Sequence, residues 1–445
     1  MATYLYRTQG TPTSTQKFTF SCWIKNSAYT GNLQGFLSFK NGWYDDSGLA
    51  LVLEATGVIN AHGNGANNNR TTRVFRDPGA WMHLVFAADT TQATQADRMK
   101  IYINGVQESY DTSNLPGQNV AWTGIANGER VQVGNGANSA YPFFGGMSHV
   151  HFCDGQQLAP TVFGSTDSTT GEWKINTAPS FTPGNNGFTI LKDGNTITDQ
   201  SANSNDFTLV GTLTKTEDCP DNNFATLNTL VGDVAGGYTI INGNLSITAN
   251  TGDAWRSMYG TLGNTTGKYY WEVKMVGMNN TNGTASCQMH GIADLENMLN
   301  TNGEAGDGAN GYVWRNHGGY KTGGVGQTGT YGTYVPNDIL MFAMDLDNSK
   351  LYFGKNGNWE ASGNPASGST GTGALSITAG QTYTSVFETK YTADNIAINF
   401  GNGFFGTTAV ATNSGNGYAG AEGKSIFNYQ PPTGYSALST KGLNT

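Results

Sequence analysis

The groups able to do metal or acid–base chemistry in this 445-residue chain are six histidines, four cysteines and 32 acidic residues. The densest grouping is His149-Val150-His151-Phe152-Cys153-Asp154. On a strand, positions 149, 151 and 153 share a face, and two imidazoles with a thiolate resemble part of a zinc set. No fourth ligand is within reach in sequence. The pattern therefore predicts a strand with Val150 and Phe152 in the core and the histidines on the outer face, and no metal is assigned. Hydrolysis of a glycosidic bond needs two acidic groups a set distance apart. No same-face triplet such as E-x-D-x-E occurs; Asp345 and Asp347 have the spacing but end a strand that enters a hairpin, where Asp serves the turn. Asp45-Asp46 and Glu304 with Asp307 sit in loops and offer oxygen atoms of the kind calcium takes. Calcium is thus the one cofactor left open, with solvated loops the plainer use. No G-x-S-x-G occurs, and GVGQTG (324–329) lacks the Lys-Ser/Thr and the helix of a phosphate loop. No catalytic residue is assigned, and the chain is expected not to be an enzyme.

Binding chemistry is better represented. Sugars present C–H faces that stack on aromatic rings and hydroxyls that pair with Asn and Asp. Aromatic residues in polar loops supply candidates: Trp314, Arg315, Asn316, Tyr320, Tyr331, Tyr334 and Trp359, and earlier Trp43, Tyr44, Asp45 and Trp122. The competing use of each is packing: Trp359 can close its hairpin, and Trp314 in GYVWRNHGG can be core.

The elements that must position these residues are strands. FTFSCWIK (18–25) alternates as a half-buried strand, AWMHLVFAAD (80–89) is apolar on both faces, and DRMKIYINGVQ (97–107) turns at Asn104-Gly105. Later, Tyr269, Trp271, Val273 and Met275 of KYYWEVKM point one way and Tyr270, Glu272 and Lys274 the other. ILMFAMD (339–345) is apolar on both faces, and Asp347-Asn348-Ser349 and Asn356-Gly357 are turns. Only 12% of residues are charged and Gly reaches 62, yet 21 Tyr, 21 Phe and 9 Trp suffice to fill cores. The net charge of −9 without a basic patch argues against nucleic acid. No run of 18 apolar residues predicts membrane insertion, and MATYLYRTQG is no secretory signal. The cysteines form no CxxC pair and are expected as buried thiols. Length suggests two to four domains.

Two family resemblances follow from these stretches. FTFSCWIK, GAWMHLVFAAD, MKIYINGVQ and FGGMSHVHFCDGQQL, in that order, resemble the concanavalin A-like, laminin-G-type fold over residues 1–160. GKYYWEV, GIAD, DLDNSKLYFGKNGNW and IAINFGNG resemble a SPRY domain over 232–428. Both imply β-sandwiches that bind through loops, so the expected fold is all-β: two tandem antiparallel sandwiches joined by an ordered connector (161–231), with a tail at 429–445. The motifs DxSxNxNDFT (199–208) and DxPxNNFATLN (218–228), with PPTGYSALST (431–440), resemble tail-fibre and head-fibre proteins of tailed bacteriophages. That resemblance implies a virion protein made in the host bacterial cytoplasm. Its partners would be other virion proteins and a host cell-surface glycan. It would assemble as a homotrimer, without a coiled coil because no heptads occur. A polysaccharide depolymerase on the same fold and a purely architectural capsid decoration are the alternatives.

Overall fold

The computed structural model describes residues 2–27, 31–40, 48–65, 67–136, 140–232, 237–250, 252, 254–279, 287–296, 304–410 and 417–444. The chain is all-β and divides into two compact units, Met1–Lys215 and Thr216–Thr445.

The first unit contains an eight-stranded sheet in the order β10 (Tyr110–Asn114), β6 (Asn67–Val74), β5 (Val58–Gly63), β4 (Leu49–Leu53), β3 (Gln34–Phe39), β11 (Arg130–Val133), β1 (Tyr4–Thr8), β16 (Thr208–Val210). A six-stranded sheet runs β15 (Phe188–Ile190), β12 (Gly145–Asp154), β2 (Lys17–Asn26), β7 (Met82–Asp89), β8 (Met99–Ile103), β9 (Val106–Gln107), and β13 (Gly164–Thr166) pairs with β14 (Trp173–Ile175). Every pairing in these sheets is antiparallel. The core lies between the two sheets. Leu5, Phe39, Leu51 and Val131 of one meet Phe18, Phe20, Phe86, Ile101 and Phe152 of the other, as period-two alternation requires. The opposite face of β7 is covered too: Val85 and Ala87 pack with Phe163 and Phe181, which is why this strand is apolar on both faces. At Asn104 and Gly105 φ is 48° and 80°, the left-handed pair that a tight hairpin needs.

The segment expected to be a connector is divided between the units. Residues 161–215 complete the first: β15 and β16 take edge positions in its two sheets. The DxSxNxNDFT motif ties them together. Asp199 accepts from Thr189 N (2.9 Å), Ser201 N (2.8 Å) and Asn205 N (2.8 Å), and Asn203 and Asn205 both donate to the Gly187 carbonyl. Short Asx and Ser side chains bonding nearby backbone give an ordered coil without strand periodicity.

The second unit has a seven-stranded sheet in the order β17 (Leu227–Gly232), β20 (Arg256–Asn264), β30 (Tyr383–Thr389), β22 (Gln288–Asp294), β23 (Tyr312–Arg315), β24 (Tyr320–Thr322), β25 (Val325–Gln327). A nine-stranded sheet runs β18 (Tyr238–Ile241), β19 (Ser246–Ala249), β31 (Asn395–Asn399), β21 (Lys268–Gly277), β26 (Ile339–Asp345), β27 (Lys350–Lys355), β28 (Asn358–Trp359); β29 (Leu375–Ser376) adds to β27 and β34 (Ser436–Ala437) to β21. A hairpin of β32 (Phe404–Phe405) and β33 (Thr408–Ala409) stands apart. Trp271, Val273, Phe342 and Ile398 face Met258, Ile292, Trp314 and Phe387 across the core, with Trp271 stacked on Phe342 at 5.3 Å. The residues expected as a tail close the other face. Tyr435 and Ala437, with Phe427 just before the tail, bury Tyr270 and Met341, and β34 pairs with β21 in parallel.

Candidate functional site

At one end of the first sandwich, strand ends from both sheets leave a cleft of about 270 Å³, just under the ~300 Å³ at which small-molecule sites begin. Ile24, Phe36, Leu53 and Ile103 form a buried apolar floor, and the rim carries Arg73, Phe75, Arg76, Asp77, Trp81 and Asn104. Arg73 is held on two sides. Its Nη2 donates to the buried carboxylate of Glu108, and its guanidinium carbon lies 4.9 Å over the Phe75 ring. It remains 54% exposed. Asp77 closes its own turn by accepting from Gly79 N at 2.7 Å. Asn104 Oδ1 accepts from His83 N at 2.8 Å. Trp81 lies on Gly146, where a Cβ would stand 2.9 Å from the ring. Only glycine on β12 lets the indole lie there.

None of these rim residues was among the sequence candidates, although all but Asn104 fall within residues 73–81. A signal existed: three of the eight arginines fall at 70, 73 and 76, followed by the turn Asp77-Pro78-Gly79 between Phe75 and Trp81. Arg70 itself is spent on ion pairs with Glu54 and Asp111.

Most of the sequence candidates are used by the fold. Trp122 is fully buried, edge-on to Phe18 at 5.9 Å. Trp314 is fully buried between Tyr334 (5.1 Å) and Phe353 (5.7 Å), and its Nε1 donates to the Gly332 carbonyl. Asn316 Oδ1 accepts from Cys287 N, and the Tyr334 hydroxyl donates to the Gln288 carbonyl. Tyr331 is buried edge-on to Phe353 at 5.0 Å. These rings offer no face to a ligand. Gly-rich loops around them had suggested exposure, but the loops fold over the aromatic side chains and bury them. Tyr320, Arg315 and Trp359 are half-buried: Tyr320 lies against Tyr331, Arg315 lies over Gly326, and Trp359 closes its hairpin against Tyr270 and Tyr352. Trp43, Tyr44 and Asp45, with Asp46, lie outside the described residues.

The histidine stretch departs from regular alternation. The register of β12 shifts between Ser148 and His151, and His149 has φ 48°, so a bulge breaks the regular alternation; Val150 and Phe152 still lie in the core, and the two imidazole rings lie 6.4 Å apart. His151 bonds Thr189 Oγ1 (2.9 Å) and stacks on Phe163, while Cys153 Sγ donates to the Thr182 carbonyl. Among the described residues no three His, Cys, Asp or Glu side chains are placed to hold a metal. Glu304 and Asp307 both pair with Lys321. Asp345 accepts from Asn348 N and Nδ2 within its turn.

One arrangement resembles a nucleophile and its base: Ser21 Oγ lies 2.9 Å from His83 Nε2. The far side of the ring decides its chemistry. Trp173 Nε1, which can only donate, lies 3.0 Å from His83 Nδ1. Nδ1 therefore carries no proton, Nε2 does, and His83 donates to Ser21. It cannot accept the serine proton. Burial also pushes this imidazole down to about 3.

Residues 2–163 match the family model described as Concanavalin A-like lectin/glucanases superfamily. This match supports a concanavalin A-like, laminin-G-type domain in the first unit. No curated protein matches the chain. Among solved structures it is similar to the SPRY domain of human HERC1 (15% identity, 39% of this chain and 96% of that one, TM-score 0.30). It is also similar to a human SPRY domain (10%, 36% and 94%, TM-score 0.27). A heptameric SAP-like pentraxin from Limulus polyphemus is similar at 19%, over 36% and 72%, with TM-score 0.27.

Proposed function

We propose that the protein is a carbohydrate-binding adhesion protein of a tailed-bacteriophage particle, and that the first unit receives a cell-surface sugar in its terminal cleft. One observation carries the saccharide reading. An apolar-floored cleft with Trp81 and Phe75 at its rim, beside Arg73, Arg76 and Asn104, lies in the unit that matches the lectin/glucanase family. Aromatic faces take the C–H surface of a sugar while donors fix its oxygens. We propose no hydrolysis. Among the described residues the lining holds one carboxylate, Asp77, whose Oδ1 closes its own turn, whereas glycosidases use two. The virion reading is supported by the fibre-like motifs at 199–208, 218–228 and 431–440.

The test is titration of the full-length protein with host-surface oligosaccharides, beside the Trp81→Ala variant. Loss of one stacking ring should weaken binding about tenfold or more with unchanged thermal melting. Equal affinity of variant and parent would refute the cleft. For the virion reading, antibody against the protein should label purified particles. Its absence from them refutes that part. The expected homotrimer should scatter light as three copies of 47.2 kDa; a single-copy mass, free and on the particle, overturns it.

A further inference from the structure

We infer that the ligand of the first unit is a chain and not a single sugar: a neutral oligosaccharide that fills the terminal cleft with one residue and runs on across Trp81 to Phe144. This rests on the saccharide reading above. At about 270 Å³ the cleft is smaller than sites that enclose a whole small-molecule ligand, so further contact has to come from the surface beside it. That surface is aromatic. Phe144 is 46% exposed, the most exposed aromatic residue among the described residues. Register places it next to the cleft. Ser27 N donates to the Phe144 carbonyl at 3.0 Å, one step past the Gly145–Asn26 pair of β12 and β2, so the alternation of β12 runs on through 144. Phe143 and Met147 pack on the core, and Phe143 meets the Phe36 ring of the cleft floor at 5.1 Å. Phe144 and Gly146 therefore face outward together, about 7 Å apart along the strand. Trp81 lies on Gly146, which makes Trp81 and Phe144 neighbours on one face.

The row is set before a ligand arrives. Phe144 N donates to Oε1 of buried Gln34 at 2.8 Å, its carbonyl is held by Ser27, and Trp81 is seated on a glycine. Rings fixed in this way lose little freedom on binding. Charge does not choose the ligand here. Arg73 pairs with Glu108, Arg76 Nη2 donates to the Thr56 carbonyl at 3.4 Å, and the Asp77 carboxylate stands on the same rim. The Phe144 side chain has no polar atom, so it reads a ring face and nothing else. Successive ring faces along one row are what a neutral sugar chain presents.

The experiment titrates the full-length protein with neutral gluco-, manno- and galacto-oligosaccharides sorted by length, from the monosaccharide to the hexasaccharide. Affinity should climb about tenfold or more between the monosaccharide and the trisaccharide and then level off. Phe144→Ala should remove most of that climb, with the monosaccharide, which reaches only the cleft, bound as by the parent. Phe144→Tyr keeps the ring and should restore the climb. Trp81→Ala should weaken every length. Each variant is checked for native melting and for mass by light scattering. Affinity that does not change with length, or a Phe144→Ala protein that binds the longest chain as the parent does, overturns the extension; where Trp81→Ala still weakens binding, the saccharide reading stands. The extension also falls if Phe144→Ala splits an assembly of copies and leaves long-chain affinity unchanged, because the ring is then a contact between copies. If Trp81→Ala changes nothing, or no chain binds at millimolar concentration, both are overturned.

Discussion

Replacing Glu388 by Gln should stabilise the second unit at neutral pH, although it removes a buried, hydrogen-bonded carboxyl. Glu388 on β30 is fully buried. Its Oε1 accepts from Ser257 Oγ (2.8 Å) and Ala305 N, and its Oε2 has no partner among the described residues. Burial pushes this carboxyl from 4.5 up to about 8, against those donations and the nearby Lys321 ammonium. The folded value is raised, so the stability this group contributes is complete below pH 4.5 and is lost as pH rises through about 8. At pH 7 the unfolded chain ionises it, and holding it neutral costs about 1.4 kcal/mol per unit above 4.5, or ~3 kcal/mol. Glutamine keeps the acceptor and never has to be protonated. Glu388→Gln should therefore match the parent near pH 4 and exceed it by up to about 3 kcal/mol at pH 7. Urea unfolding at several pH values would measure this, with hydrogen exchange of peptides from β20, β22 and β30 isolating the second unit. A variant less stable than the parent at pH 7, with an unchanged pH slope, would show that the carboxylate is ionised and well paired, and would refute the reasoning.

Glu272→Ala should act in the opposite direction. Its carboxyl accepts from Tyr270 Oη, Asn399 Nδ2, Asn428 N and Tyr429 N at 2.7–3.2 Å, and orphaning these donors should cost ~3 kcal/mol or more and speed exchange in residues 427–437. Gly291→Ala on β22 would set a Cβ 1.9 Å from the Tyr312 carbonyl oxygen of β23. That clash should cost ~3 kcal/mol or more, a fall of about 6–12 °C in melting temperature; unchanged melting would refute the strand spacing. Cys22 is fully buried and its thiol is pushed up by that burial, so it should resist a thiol reagent at pH 8 until denaturant is added.

Local pattern decided a good deal. Alternation placed Tyr269, Trp271, Val273 and Met275 in one core, and the two-faced apolar runs 80–89 and 339–345 lie inside their sheets. Asn-Gly pairs at 104–105 and 356–357 marked the turns, with φ positive at each of the four residues, because Asn and Gly adopt that backbone at little cost. These features are set by neighbours along the chain, so a sequence can hold them.

Surroundings decided the rest. Nothing local distinguishes Trp314, buried in a Gly-rich context, from Trp81, which stands on a rim. The difference is which strand lies opposite and which loop folds over. Glu272 looks like an outward-facing charge in KYYWEV, yet residues 427–437 arrive from over 150 positions away to bury it. The cleft is the extreme case. Its floor and rim come from β2, β3, β4, β6, β7, β8 and their ends. Period two tells each strand which face is inward, but only the antiparallel register of two sheets brings those ends to one place.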